Sequence, residues 1–423
     1  MKRRTALTGL VAAGAGLVAC DADRAEHAAR PLRQPGITTP PPAAAVLAAF
    51  DVRAAGRPAL EALLQRLSAA VTESTGTHAG RGRPVEVTVA VGASLFDGRF
   101  GLGAHRPRRL VEMPSFPNDV LDPARYHGDL LLQVCGGDAP AVASVLSDLA
   151  EPELRPRWRM AGFRDQPAVT AGGWAVDRNL FGFRDGAGNP DVRDEAEMDR
   201  LVWVGVDGSK PSWAAGGSYQ VVRIIRFATT VWDAEPIARQ EAVFGRRRSD
   251  GAALGQTGED AAFDYGADPT GQVTAMDAHI RRANPRTPAT DRSRILRRGY
   301  SYRGGADRDE VMLFVCFQCD VEAGFATVQR RLADEALDRY VLPVGGGYFF
   351  DLPGGPGHQL TARAAGLVFA HEFWTKDTYS VRCGKGAFPI AQQREFGRFD
   401  LTDVVVRECR PGTPTGNSWR APG

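Results

Sequence analysis

Cysteine is scarce. Six occur in 423 residues, at Cys20, Cys135, Cys316, Cys319, Cys383 and Cys409. That is too few to staple a disulfide scaffold, so the fold must rest on a packed core. Cys316 and Cys319 form a C-x-x-C, but Asp320 follows where a c-type haem attachment requires His. No second C-x-x-C or His pair completes a zinc site. Net charge is also nearly missing. The 52 Lys and Arg against 50 Asp and Glu leave a formal +2, which removes the electrostatic case for nucleic acid or an acidic membrane surface. No apolar run of eighteen residues lies beyond the N-terminus, so no internal helical span is expected. Gly182, Gly186 and Gly188 do not spell G-x-G-x-x-G, and the dinucleotide fingerprint is absent.

What is present is an ordinary globular composition, 43% hydrophobic and 24% charged, on a chain long enough for two domains. The first twenty residues, MKRRTALTGLVAAGAGLVAC, read as an export signal, and Arg3–Arg4 match a twin-arginine address. The run ends in LVAC, a lipobox that would lipidate Cys20 and anchor the chain to a membrane. The other reading is a twin-arginine signal with a chance cysteine. The expected location is the periplasm, the outer face of the cell membrane, or outside the cell.

A Pro-rich tether is expected over residues 21–45. Beyond it, LEALLQRLSAAV from Leu60 has helical spacing and VEVTVAVG from Val85 alternates like a strand. A weak internal repeat follows. DLLLQVCGGDAPAVASVLSDLA from Asp129 and VMLFVCFQCDVEAGFATVQRRLADE from Val311 each read as strand, break ending in Asp, and amphipathic helix. VLAAFDV and its helix rhyme with YQVVRIIRF and its own. Two similar α+β domains with antiparallel sheets account for this better than one doubly wound sheet. The expected division is 1–20 signal, 21–45 linker, 46–215 and 216–357 as the two domains, with the G-x-x-D-G loop around Asp185 in the first, and 358–423 unassigned. Cys135 and Cys316 fall in apolar strands and read as buried small hydrophobes. Cys383 and Cys409 could pair after export.

Three clusters could carry chemistry. NLFGFRDGAGNPD, Asn179 to Asp191, sets Asp185 on a glycine-built loop beside Leu180, Phe181 and Phe183. Such an acid is either a turn former or a carboxylate aimed at something buried. MDAHIRRANPR, Met276 to Arg286, places His279 ahead of Arg281, Arg282 and Arg286. That order suits a metal-ligating imidazole beside an anionic cofactor, as haem with its propionates would be. RILRRGYSYRGG, Arg294 to Gly305, carries Arg297 and Arg298, which could equally be a solvated turn.

The order GFRDG, HIRRANPR, RILRRGYSY, LFVCFQ and GGGYFF resembles the dye-decolourising peroxidase family, and within it the twin-arginine-exported deferrochelatase/peroxidase-like branch. The resemblance covers residues 46–353, and Arg297 stands eighteen residues after His279, as expected there. It implies two ferredoxin-like α+β domains of the dimeric α+β barrel type, with one haem b per chain in the second domain. It implies His279 as the proximal iron ligand and Asp185 and Arg297 on the distal face. Gly186, Ala187 and Gly188 would lie near the haem edge, and Asn284, Pro285, Arg286 and Arg297 against the porphyrin and its propionates. The implied partners are hydrogen peroxide, organic electron donors, iron-uptake components and a second copy of the chain. The implied activity is peroxide-dependent oxidation. Iron release from haem with intact protoporphyrin is the first alternative, and a non-catalytic haem carrier or sensor the second. Asp320 could hydrogen-bond the proximal His, but its repeat partner Asp138 favours a helix N-cap. Two departures stand out. Ala187 replaces an expected Thr, and residues 358–423 extend past the usual end of that branch.

Overall fold

The computed structural model describes residues 33–165, 168–169, 175–186, 188–205, 211–257, 263–304, 309–354, 380–383 and 386–389. The first compact unit lies within Met1–Ala370 and the second within His371–Gly423. Of the second, what is described is a hairpin of Ser380–Cys383 and Gly386–Pro389.

The first unit opens with β1 (Ala44–Val52), α1 (Arg57–Gly80), β2 (Val85–Gly92), β3 (Leu130–Gly136), α2 (Ala139–Asp148) and β4 (Leu154–Phe163). Its strands pair antiparallel in the order β4-β1-β3-β2. Pro58 fits the first turn of α1, where its missing N–H costs nothing. Leu60, Leu63, Leu64, Leu67 and Val71 then recur at helical spacing and are all buried. Asp138 accepts a hydrogen bond from the Ala141 amide at 2.9 Å and caps α2.

A small sheet follows, made of β5 (Ala168–Val169), β6 (Ala175–Arg178) and β7 (Arg184–Asp185), and then α3 (Glu195–Leu201). The second repeat comprises β8 (Ser218–Phe227), α4 (Thr229–Asp233), α5 (Ile237–Phe244), α6 (His279–Ala283), β9 (Leu296–Arg297), β10 (Tyr300–Gly304), β11 (Asp309–Gln318), α7 (Thr327–Leu332) and β12 (Val341–Asp351). Its order is β12-β8-β11, with β9 and β10 both on the far edge of β11 as two ends of one interrupted strand. The strand rhyme in the sequence is therefore a topological repeat. Each half has the ferredoxin-like arrangement, with β1 matching β8 and β3 matching β11.

The halves share one closed ring. β2 pairs β12, and β4 meets β10 where Phe163 lies opposite Ser301. Successive strand residues point to opposite faces. One set, including Leu47, Leu131, Val222, Ile224, Leu313, Val315 and Phe349, fills a single buried cluster contributed from around the ring. The other set from the first half packs beneath α1 and α2. On the second half the outward face is covered by α6 and α7, and the pocket described below lies there.

The tether expected over 21–45 is packed from residue 33 onward. The Gln34 carboxamide donates to Val89 O at 2.8 Å and Leu352 O at 2.6 Å and accepts from the Val89 amide at 2.9 Å. Ile37 is buried in the ring cluster. Proline content marked this stretch as non-helical, and contacts with strands fifty and three hundred residues away fixed it in place. Residues 1–32, with Cys20, and most of 358–423, with Cys409, lie outside the described residues. Among the described residues no helix is long and apolar enough to cross a membrane.

Candidate active site

The NLFGFRDG segment is a tight turn held by one side chain. Asn179 Oδ1 accepts from the amides of Phe181 at 3.0 Å and Phe183 at 3.1 Å, and the Asn179 amide donates to Phe183 O at 2.9 Å. The two phenylalanines anchor it, each 1% exposed. Phe181 stacks on Phe227 at 4.1 Å and on Trp232 at 4.5 Å, and Phe183 stacks on Phe244 at 4.2 Å. Burying such a ring is worth roughly 1.5–3 kcal/mol, so the greasy residues fix the loop and leave the acid directed. Gly186 turns the chain at φ +96°, a conformation that strains any residue with a Cβ. Asp185 keeps about a fifth of its side chain open and lines a large pocket.

Arg297 reaches the same pocket from β9, with its Nε 3.7 Å from Asp185 Oδ1. The next residue alternates inward. The Arg298 side chain is fully buried, donating to Thr39 O and, at 3.2 Å, to Glu86 Oε2. Gly299 leaves room for the acid, since a Cβ there would stand 3.2 Å from Asp185 Oδ2.

His279 enters from α6 and also lines the pocket. Its Nδ1 meets Glu335 at 2.8 Å and 3.0 Å to the two carboxylate oxygens, which leaves Nε2 as the ring nitrogen free for a ligand. Phe244 packs on the ring at 5.6 Å. Burial pulls the imidazole down, but the charge and hydrogen bond of Glu335 outweigh it, so the imidazole titrates above its ordinary value. Glu335 comes from the turn after α7 and is itself buried.

Asn284 and Arg286 line the pocket as well, and the Arg286 amide donates to Asn284 Oδ1 at 3.0 Å. Arg286 and Arg246 each lie over the Phe263 ring, at 4.5 and 4.7 Å, and both reach the pocket, one wall of which is therefore cationic. The floor is the outward face of β8, where Arg223 pairs bidentately with Asp119, both almost wholly buried. Of the residues expected at the site, His279, Asp185, Arg297, Gly188, Asn284 and Arg286 line this one pocket. Gly186 and Pro285 flank it without lining it, and Ala187 lies outside the described residues.

Sequence reasoning missed Glu335, Arg246 and Phe244. Nothing in LADEALDRY separates Glu335 from its acidic neighbours. Asp320 is not the partner of His279. Its Oδ1 accepts from the amides of Glu322 at 2.9 Å and Ala323 at 3.1 Å, capping the helical turn Glu322–Ala326, and Oδ2 faces Arg109. The C-x-x-C is not a redox pair. Cys316 is buried on β11, while Cys319 lies beyond the strand end with its Sγ 3.2 Å from Arg200 O. Three steps of extended chain span roughly 10 Å, too far for a disulfide. Among the described residues no cluster of three or more His, Cys, Asp or Glu could hold a metal ion.

Two family models match the chain. Dyp-type peroxidase, N-terminal, covers residues 34–164, and Dyp-type peroxidase, C-terminal, covers 176–355. The loop 179–191 therefore falls in the C-terminal region. A deferrochelatase of Shigella boydii is 44% identical over 348 residues, covering 76% of this chain and 82% of the relative. A DyP-type peroxidase crystal structure from Streptomyces coelicolor superposes with TM-score 0.70 at 36% identity, covering 78% of this chain and 94% of that one. Ferric DtpA from Streptomyces lividans gives TM-score 0.69 at 36% identity, covering 77% and 93%.

Proposed function

Because the chain belongs to the Dyp-type peroxidase family, we propose that its pocket binds one haem b through His279 and oxidises organic donors with hydrogen peroxide. The family makes it a haem peroxidase, an oxidoreductase acting on peroxide and organic donors. The observation that carries the residue assignment is the meeting of His279, Asp185 and Arg297, from three separate segments, around one pocket.

The residues present fit the cofactor. His279 offers Nε2 while Nδ1 is held by a buried carboxylate, the usual way a ligating imidazole is oriented. Arg246 and Arg286 supply cations for propionates, and Phe181, Phe244 and Phe314 supply apolar wall. Bound haem, held through His279, would provide the iron chemistry that activates peroxide and the redox capacity for two one-electron donations. The protein contributes proton handling and charge. Asp185 would hold and move the proton that peroxide gives up and the departing oxygen takes. Arg297 places a fixed cation where negative charge develops as the O–O bond lengthens. Glu335 holds the imidazole in one tautomer and makes it a stronger donor.

A second reading is favoured by the names of the relatives, which are deferrochelatases at 44% identity. In that case iron is the product, released from haem with the porphyrin intact. Twin-arginine export to the cell envelope, with or without a lipid on Cys20, completes the proposal and rests on the first twenty residues.

Purified protein is loaded with haem and mixed with peroxide and a reducing dye. Dye turnover, with a Soret band lost in His279→Ala, supports the peroxidase reading. Protoporphyrin release in the absence of peroxide supports iron extraction. Full haem retention and an unchanged ferric spectrum in His279→Ala would remove the ligand assignment.

A further inference from the structure

We infer that Asn189 is a positioning residue that holds Arg297 in register with Asp185, a role resting on the peroxidase reading above. β9 is only two residues long, and Arg297 sits opposite Cys316 on β11. Arg298 donates its amide to Val315 O at 2.8 Å. In an antiparallel ladder, bonded and non-bonded pairs alternate. The Arg297 amide and carbonyl are therefore turned away from β11, toward an edge where the described residues supply no strand. β4 joins the ring only beyond it, at Ser301.

Asn189 fills that edge. Its Oδ1 accepts from the Arg297 amide at 3.0 Å, and its Nδ2 donates to Arg297 O at 2.8 Å. One carboxamide thus stands in for one peptide of a missing strand, satisfying both outward groups of a single residue. Asn189 is tied to the acid's loop in turn, its amide donating to Gly186 O at 3.0 Å. Asp185 and Arg297 are 112 positions apart in the chain. Through Asn189 they are separated by one turn and two hydrogen bonds. Only a carboxamide of this length offers an acceptor and a donor side by side. Asp supplies the acceptor and sets an oxygen against the Arg297 carbonyl, and Leu keeps the bulk with neither.

The test is a double-mutant cycle between Asn189→Ala and Arg297→Leu in haem-loaded protein, reading the second-order rate constant with peroxide. It is joined by azide affinity of the ferric form and by hydrogen exchange of the Arg297 amide in haem-free protein. Misplacing a reacting group by about 1 Å can cost about a hundredfold, so Asn189→Ala is expected to slow the peroxide reaction about ten- to a hundredfold. KM for the donor should stay unchanged, azide should bind more weakly, and the Arg297 amide should exchange faster. In the Arg297→Leu background the same change should add almost nothing. Wild-type rate and amide protection in Asn189→Ala would overturn the inference. So would losses that multiply in the double variant, since they would mean Asn189 acts by another route. If Asn189→Ala does not fold, Asn189→Asp enters the same cycle under the same criteria. An Arg297→Leu variant that reacts at the wild-type rate sinks the catalytic reading itself, a result separate from failure of the clamp.

Discussion

Replacing Glu335 by Gln tests the proximal side of the pocket, and its size follows from the geometry. Glu335 presents both carboxylate oxygens to His279 Nδ1, at 2.8 and 3.0 Å, from a buried position. A hydrogen bond to a charged group contributes about 1.5–3 kcal/mol. Losing the charge should therefore lower the haem-free imidazole, because the carboxylate of Glu335 is what raises it. Burial already acts in that direction, so the variant should titrate below the ordinary histidine value, where the wild type titrates above it. The pH dependence of stability should then reverse for this group. In wild type its contribution is full below the unfolded pKa and is lost as pH rises through the raised folded value. In the variant the contribution is present above the unfolded pKa and is lost as pH falls toward the lowered one. The His279 ring signal, followed by NMR across pH in haem-free protein and assigned against His279→Gln, measures the shift. Haem affinity, measured by titration, should fall about 10–100-fold, as for other groups that orient a ligating His. A titration midpoint equal to wild type, with haem affinity unchanged, would refute the idea that Glu335 governs this imidazole.

Other outcomes follow from neighbouring geometry. Arg297→Leu and Asp185→Asn should each retain haem yet react with peroxide at least about tenfold more slowly in stopped-flow, with Arg297 the larger effect. Wild-type rates in both variants would reduce the GFRDG segment to a turn. Asp119→Ala strips the partner from Arg223, whose side chain is 1% exposed, and should cost about 3–5 kcal/mol in urea unfolding. A loss under about 1 kcal/mol would mean that water reaches the guanidinium. His127, chiefly through burial and with Arg157 acting in the same direction, is lowered to about 4, and its buried Nε2 has no partner among the described residues. Its neutral form is the folded one, so stability should fall as pH drops from about 6.5 toward 4. Allowing for partial exposure, the group should account for about 1–2 kcal/mol of that fall. Asn tolerates the φ of 59° found there, and His127→Asn should flatten this slope when unfolding is compared at pH 7 and 4.5. An unchanged slope would assign the acid sensitivity to other groups.

The chain's short-range chemistry was legible in one dimension. Apolar residues at three- and four-residue spacing marked α1, alternation marked β2, and the paired strand-and-helix segments announced two copies of one topology. Asp138 and Asp320 could be read as capping acids because a cap binds amides two or three residues away. His279, Asp185 and Arg297 stood out by residue type, spacing and family resemblance, and they line one pocket. Only the folded chain decided which distant groups those residues meet. Glu335 pairs with His279 across 56 residues and Asn189 with Arg297 across 108, and neither neighbourhood differs locally from a solvated turn. Ring closure at Phe163 and Ser301, and the packing of residues 33–43 against it, likewise depend on strand edges brought together by the whole sheet. Period and turn geometry are properties of a few adjacent peptides, and the sequence states them directly. A partner for a buried carboxylate or an open strand edge is set by which surfaces the hydrophobic core forces together, and that is fixed only once the core has formed.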